Sequence, residues 1–116
     1  MRRHWPLIGG AILLLATAIF HMTGLPMVSD WLPAQRGQIL GALWVSPAID
    51  WSVVAVLWLI AAFRGGREWA IAVAVSAVIP VTMAIALFTI DGIAHPGPFM
   101  LTGAVMLALF GASRLR

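Results

Sequence analysis

Four long apolar runs, separated by three short polar stretches of which two carry arginine, most strongly limit how this chain can fold. The runs cover approximately residues 6–25, 39–63, 69–90 and 97–113. About 20 helical residues span the ~30 Å hydrocarbon core of a bilayer, and a segment in hydrocarbon must satisfy its own backbone hydrogen bonds. Three runs have that length and the fourth is marginal. The sequence therefore predicts a single all-α domain over residues 1–116, a bundle of four transmembrane helices.

The composition is that of a chain surrounded by lipid. Hydrophobic residues make up 62% of the sequence and charged residues 9%, whereas a typical soluble domain has about 25% charged residues. The net charge of +3 comes from arginines that never run longer than Arg2-Arg3, and nucleic-acid binding needs several cations on one face. We therefore expect a lipid bilayer and no nucleic acid as partner. The absence of cysteine excludes thiolate catalysis and thiolate metal ligands.

The arginines are divided unequally between the two sides of the predicted bundle. One side carries six arginines and the other carries only Arg36. The six are Arg2, Arg3, Arg64, Arg67, Arg114 and Arg116. The positive-inside rule places the six, and with them both termini, in the cytoplasm. The use of arginine without lysine, beside abundant alanine and glycine, is typical of GC-rich bacterial genomes, so the predicted location is a bacterial inner membrane.

The N-terminus allows a second interpretation. Arg2-Arg3, the following apolar residues and Ala16-Thr17-Ala18 resemble a signal peptide with its cleavage site. The apolar run continues beyond that site, and this favours a helix that is retained.

Two prolines lie inside the predicted second and third helices. A proline removes one backbone donor and crowds the preceding turn, so we expect kinks at Pro47 and Pro80. The second helix has an alternative, because Ser46 could cap a helix that restarts with Pro47 at its first position. Residues 33–45 would then form an interfacial or re-entrant helix.

The ends of the first and third helices resemble each other. Residues 18–25 and 86–93 share three identical positions and three conservative ones. The similarity indicates two repeated helical hairpins related by an axis along the membrane normal. Chance similarity between two apolar segments explains it equally well.

Small residues recur at four-residue spacing and predict the packing faces, because helices in lipid associate where their backbones can approach closely. The third helix carries Ala72, Ser76, Pro80 and Ala84, the fourth Ala104, Ala108 and Ala112, and the second Gly37 and Gly41.

Three tryptophans form one stripe along the second helix. Trp44, Trp51 and Trp58 are spaced by seven residues, which is nearly two helical turns. Such a stripe can form an aromatic wall for a flat ligand such as a quinone, a haem or a lipid. Packing within the bundle or contact with lipid is the simpler interpretation.

Four ionisable residues lie toward the side opposite the arginines. They are His21, Asp50, Asp91 and His95. Ionisable groups in membrane helices are costly and are therefore candidates for function. The four could bind a divalent metal, relay protons for a transported solute or, through the two histidines, hold a haem. Alternatively Asp50 caps a helix and Asp91 belongs to an ordinary turn.

The sequence predicts a non-catalytic role. No nucleophile and base occur in a recognisable pattern, almost no mass lies outside the bilayer, and no cofactor is indicated. We expect an accessory or interaction subunit that meets a membrane protein or a second copy of itself. The alternative is a transporter or ligand carrier that uses the histidine and aspartate cluster.

Overall fold

The computed structural model describes residues 4–30 and 34–115, except the side chains of Val28, Ser29 and Asp91. Most of these residues are helical and none of them lies in a strand, which confirms the all-α class. The helices are α1 (Trp5–Met22), α2 (Leu25–Asp30), α3 (Ala34–Arg64), α4 (Arg67–Ser76), α5 (Val78–Asp91) and α6 (Gly97–Ala112).

Three helical stretches in the described part of the chain are long and apolar enough to cross a membrane. They are Trp5–Met27, Ala34–Arg64 and Arg67–Ile90, and the apolar α6 is shorter, with 16 residues. The predicted apolar runs therefore fold into four helical rods, the third of which is interrupted.

The long helices pack antiparallel, with α1 against both α6 and α3. Leu7 near the start of α1 touches Gly111 near the end of α6, and His21 near the end of α1 meets Trp44 of α3. The start of α1, the turn at residues 64–67 and the end of α6 consequently share one end of the bundle. We call it the arginine end, because Arg64, Arg67 and Arg114 lie there.

Two glycines allow α1 and α6 to approach closely. A Cβ atom on Gly10 would lie 2.7 Å from the carbonyl oxygen of Ala104, and one on Gly111 would lie 2.7 Å from the Leu7 backbone nitrogen. Ala104, Ala108 and the neighbouring Ala112 are all buried. The small-residue face predicted for the fourth helix is therefore confirmed as a packing face within the bundle.

The two prolines have different effects on their helices. Helix α3 runs without interruption from Ala34 through Pro47, so the alternative in which a helix restarts at Ser46 is wrong and residues 34–45 belong to the second helix. The third rod is interrupted at Ala77. This position lies one turn before Pro80, where a proline ring clashes with the preceding turn.

Helix α3 extends beyond the end of α1. Its Trp44 and Trp51 both touch His21, the second-last residue of α1. The ten residues of α3 before Trp44 therefore project by about 15 Å, and they pack against α2, which folds back beside them.

The two predicted hairpins do not pack equivalently. Helix α1 packs extensively against α6, whereas α3 meets α4 and α5 over a much smaller surface. These unequal contacts lend no support to a symmetric pair of hairpins, and the internal repeat stays a prediction.

Large apolar side chains cover the outside of the bundle. Ile12 is 58% exposed, Val75 68% and Ile90 78%, and similar side chains are exposed on every long helix. Soluble monomers seldom expose apolar surface that continues around the whole molecule.

Candidate functional site

A cavity of about 440 Å³ lies at the end of the bundle opposite the arginines. Helices α1, α3 and α5 and the start of α6 surround it. The lining residues that carry the argument are Thr17, His21, Trp44, Trp51, His95 and Gly97. The volume falls within the roughly 300–1,000 Å³ typical of small-molecule sites. We call this space the His–Trp cavity.

His21 and Trp44 bind each other reciprocally across α1 and α3. Nε2 of His21 donates to the Trp44 carbonyl oxygen at 2.8 Å, and Nε1 of Trp44 donates to the His21 carbonyl oxygen at 2.9 Å. The two rings are stacked, with centroids 4.4 Å apart and planes 8° from parallel. The two hydrogen bonds and the ring stack together fix both side chains at the edge of the cavity.

The end of α1 allows the His21 carbonyl oxygen to accept from Trp44 beside the backbone N–H of Gly24, which donates to it at 3.2 Å. His21 lies in the last turn of α1, where carbonyl oxygens lack helical donors. Gly24 completes the fit, because a Cβ there would lie 2.9 Å from Cζ2 of Trp44.

Trp51 forms the inner wall of the cavity. Its side chain is buried, and the His21 ring meets it edge-on with centroids 5.2 Å apart. Thr17, one turn below His21, is also buried and donates its hydroxyl hydrogen to the Leu13 carbonyl oxygen at 2.8 Å. The deep part of the cavity is therefore aromatic, and its hydroxyl hydrogen is already bonded.

His95 reaches the cavity from the connection between α5 and α6. Its Nδ1 accepts a hydrogen bond of 3.1 Å from the backbone N–H of Gly97, the first residue of α6. The ring lies 5.9 Å from the Phe20 ring, measured between centroids. The connection begins at Gly92, which has a φ of +61°, a backbone conformation that favours glycine.

Two of the four ionisable residues in the predicted cluster line the cavity. His21 and His95 do so, whereas Asp50 is exposed on α3 and is not among the lining residues. Asp91 ends α5, and its side chain lies outside the described part of the structure. Within the described residues, no three histidine, aspartate or glutamate side chains are grouped to hold a metal ion. Two imidazoles supply half of a four-coordinate zinc site.

The predicted tryptophan wall is divided between two environments. Trp44 and Trp51 line the cavity, but Trp58 is fully buried below it. Nε1 of Trp58 donates to Oγ of Ser76 at 2.9 Å, and that hydroxyl donates to the Val73 carbonyl oxygen. Trp58 therefore joins α3 to α4 beside the interruption of the third rod.

The mouth of the cavity lies between the end of α1 and the α5–α6 connection. Phe20, Thr23, Ile90 and His95 line it and are exposed, whereas Trp51 and Gly97 are buried. The mouth can therefore admit a small molecule between Phe20 and Ile90, with the tryptophans and two imidazoles around the space behind it. In comparisons with protein-family models, with curated proteins and with solved structures, no match to this chain was found.

Proposed function

We propose that this chain is a non-catalytic integral membrane protein that binds a small, flat, largely apolar molecule in the His–Trp cavity. The observation that carries the proposal is the convergence of two tryptophans and two histidines, from three separate parts of the chain, around one cavity of ligand size. Small-molecule sites are lined mainly by apolar and aromatic groups, with a few placed polar atoms. The transporter or carrier alternative from the sequence is of this class.

The accessory-subunit role predicted from the sequence stays a prediction. No contact among the described residues favours it over a binding role, and the cavity does favour binding. Both roles need the same bundle, and both leave the chain without a reaction to catalyse.

The proposal includes four membrane-spanning helices in a bacterial inner membrane, with both termini in the cytoplasm. The apolar exterior supports insertion, and the arginine distribution supports orientation. Arg64, Arg67 and Arg114 lie at one end, while Arg36 lies in the first turn of α3 near the other. Membrane proteins retain such arginine clusters on the cytoplasmic side. In this orientation the His–Trp cavity opens at the outer surface.

Labelling of single cysteines tests this topology, and the chain contains no cysteine of its own. We expect Ala94→Cys, in the exposed α5–α6 connection, to react with a membrane-impermeant maleimide in spheroplasts. Ser113→Cys, exposed just after α6, should react only after the membrane is permeabilised. Reaction of Ser113→Cys in sealed spheroplasts would contradict the orientation, and release of the chain by alkaline carbonate would contradict insertion.

Equilibrium dialysis of 2-naphthol against the detergent-solubilised protein tests the binding role. We expect saturable binding of about one molecule per chain, above the amount that empty micelles dissolve. Trp51→Ala removes the inner wall, and Leu87→Phe narrows the cavity from α5, so each should weaken binding by tenfold or more (about 1.4 kcal/mol or more).

Matched variants elsewhere control for general damage. Trp5→Ala changes an exposed tryptophan at the arginine end, and Leu109→Phe enlarges an exposed leucine of α6, so both should bind like the unmodified chain. Binding that does not saturate, or that survives both cavity variants, would refute the proposed function.

A further inference from the structure

The hydrogen bonds of the two cavity histidines assign a proton position to each ring. A carbonyl oxygen only accepts, so Nε2 of His21 carries the hydrogen that it donates to Trp44. In the neutral imidazole the other nitrogen, Nδ1, is then an acceptor. The backbone N–H of Gly97 only donates, so Nδ1 of His95 is the unprotonated nitrogen, and its Nε2 carries the ring hydrogen.

Within the described part of the structure, the second nitrogen of each ring is available. No described residue forms a hydrogen bond with Nδ1 of His21 or with Nε2 of His95. Among the described residues, no buried polar side-chain atom lacks a partner. Nδ1 of His21 therefore reaches accessible surface, and His95 is itself exposed. One ring can accept a hydrogen bond and the other can donate one.

The lining of the cavity carries no formal charge in the part of the chain that the structure describes. Its residues include neither arginine nor a carboxylate, and Asp50 lies outside it. A charged ligand would leave water without a counter-ion, which is costly. The described lining of the cavity therefore suits a neutral molecule.

We infer that the His–Trp cavity selects a neutral aromatic alcohol of the phenol class, whose hydroxyl hydrogen bonds to Nδ1 of His21 and whose oxygen accepts from Nε2 of His95. This inference rests on the proposed function and adds the ligand class to it. The flat ring lies against the tryptophans, and the hydroxyl satisfies one acceptor and one donor. Phenolic hydroxyls ionise near pH 10, so the ligand is neutral at pH 7.

Comparison of 2-naphthol with 2-methoxynaphthalene at pH 7 tests the ligand class. The methyl ether keeps the ring and the acceptor oxygen but lacks the hydrogen that His21 would accept. After correction for partitioning into empty micelles, we expect 2-naphthol to bind about tenfold more tightly, because an unpaired polar group disfavours the ether complex. The ratio of the two dissociation constants is the readout.

Variants at the two histidines should change this ratio differently. His21→Phe removes the acceptor and should bring the ratio close to one. His21→Gln keeps a donor for Trp44 and an acceptor for the ligand, and should retain the preference. His95→Phe removes a donor that both probes use, so it should weaken both while leaving the ratio unchanged.

The outcomes separate this inference from the proposed function. If both probes bind saturably, lose affinity in Trp51→Ala and show a ratio near one, the phenol-class assignment is overturned and the binding role stands. If neither probe binds above the micelle background, the binding role itself fails. If His21→Phe does not fold, the ratio in the unmodified chain and in His21→Gln still decides.

Discussion

Replacing Gly10 with alanine should lower the free energy of unfolding of the bundle. The new Cβ would lie 2.7 Å from the Ala104 carbonyl oxygen and 2.9 Å from the Ala108 backbone nitrogen. Both atoms belong to the α6 backbone, which cannot yield as a flexible side chain can, so α1 and α6 must move apart. Overpacking costs typically about 1–3 kcal/mol, and we expect the upper part of that range.

Gly9→Ala is the matched control for this experiment. A Cβ on Gly9 would meet only Cδ1 of Leu107, at an ordinary 3.8 Å, and both substitutions gain the same helical preference of alanine over glycine. Unfolding in mixed micelles with an increasing fraction of denaturing detergent gives the two free energies. Equal stabilities for the two variants would contradict the close approach of α1 and α6.

Replacing Trp58 with alanine should have the largest effect of any single truncation in α3. The side chain has no exposed surface, so its removal leaves a cavity between α3 and α4 and breaks the hydrogen bond to Ser76. Truncation of a buried tryptophan costs about 3–5 kcal/mol in soluble proteins. The hydrophobic part of this cost is smaller in lipid than in water. We therefore expect the free energy of unfolding to fall by an amount near the lower end of that range.

Two further variants separate the causes of this loss. Trp5→Ala removes a tryptophan that is 66% exposed and should change the free energy of unfolding little. Trp58→Phe keeps most of the ring but loses the donor to Ser76, and polar contacts between membrane helices contribute about 0.6 kcal/mol on average. A Trp58→Ala variant as stable as Trp5→Ala would rule out the buried position of Trp58.

Hydropathy alone predicted the helical class and the approximate positions of the four rods. The position of Pro80 predicted where the third rod is interrupted, because the effect of a proline on the preceding turn is local. The start of α3 was missed by five residues, since Ala34 to Gln38 are polar or small and carry no hydropathy signal. The separate helix α2 was missed because it is six residues long and its first residues continue the apolar run of α1, so hydropathy does not separate the two helices.

The site was predicted only in part, because the contacts that build it connect different helices. The sequence identified His21, His95 and the tryptophan stripe as candidates, from residue type and spacing within one helix. The sequence also grouped Asp50 with them, because only its position along the helix was known. That position does not determine which direction the side chain faces. The pairings of His21 with Trp44 and of Trp58 with Ser76 depend on the register between neighbouring helices, and no periodicity within a single helix contains that register.

The reciprocal bonding of His21 and Trp44 also constrains how the sequence can vary. Each ring binds the backbone of the other residue, so a change at one position leaves the surviving ring without its stacking partner and one carbonyl without its side-chain donor. A substitution at either position alone therefore removes the ring stack and one of the two hydrogen bonds, and a second substitution at the other position costs less than it would by itself because the stack is already lost. Substitutions at these two positions, 23 residues apart, are therefore energetically coupled and their effects are not additive.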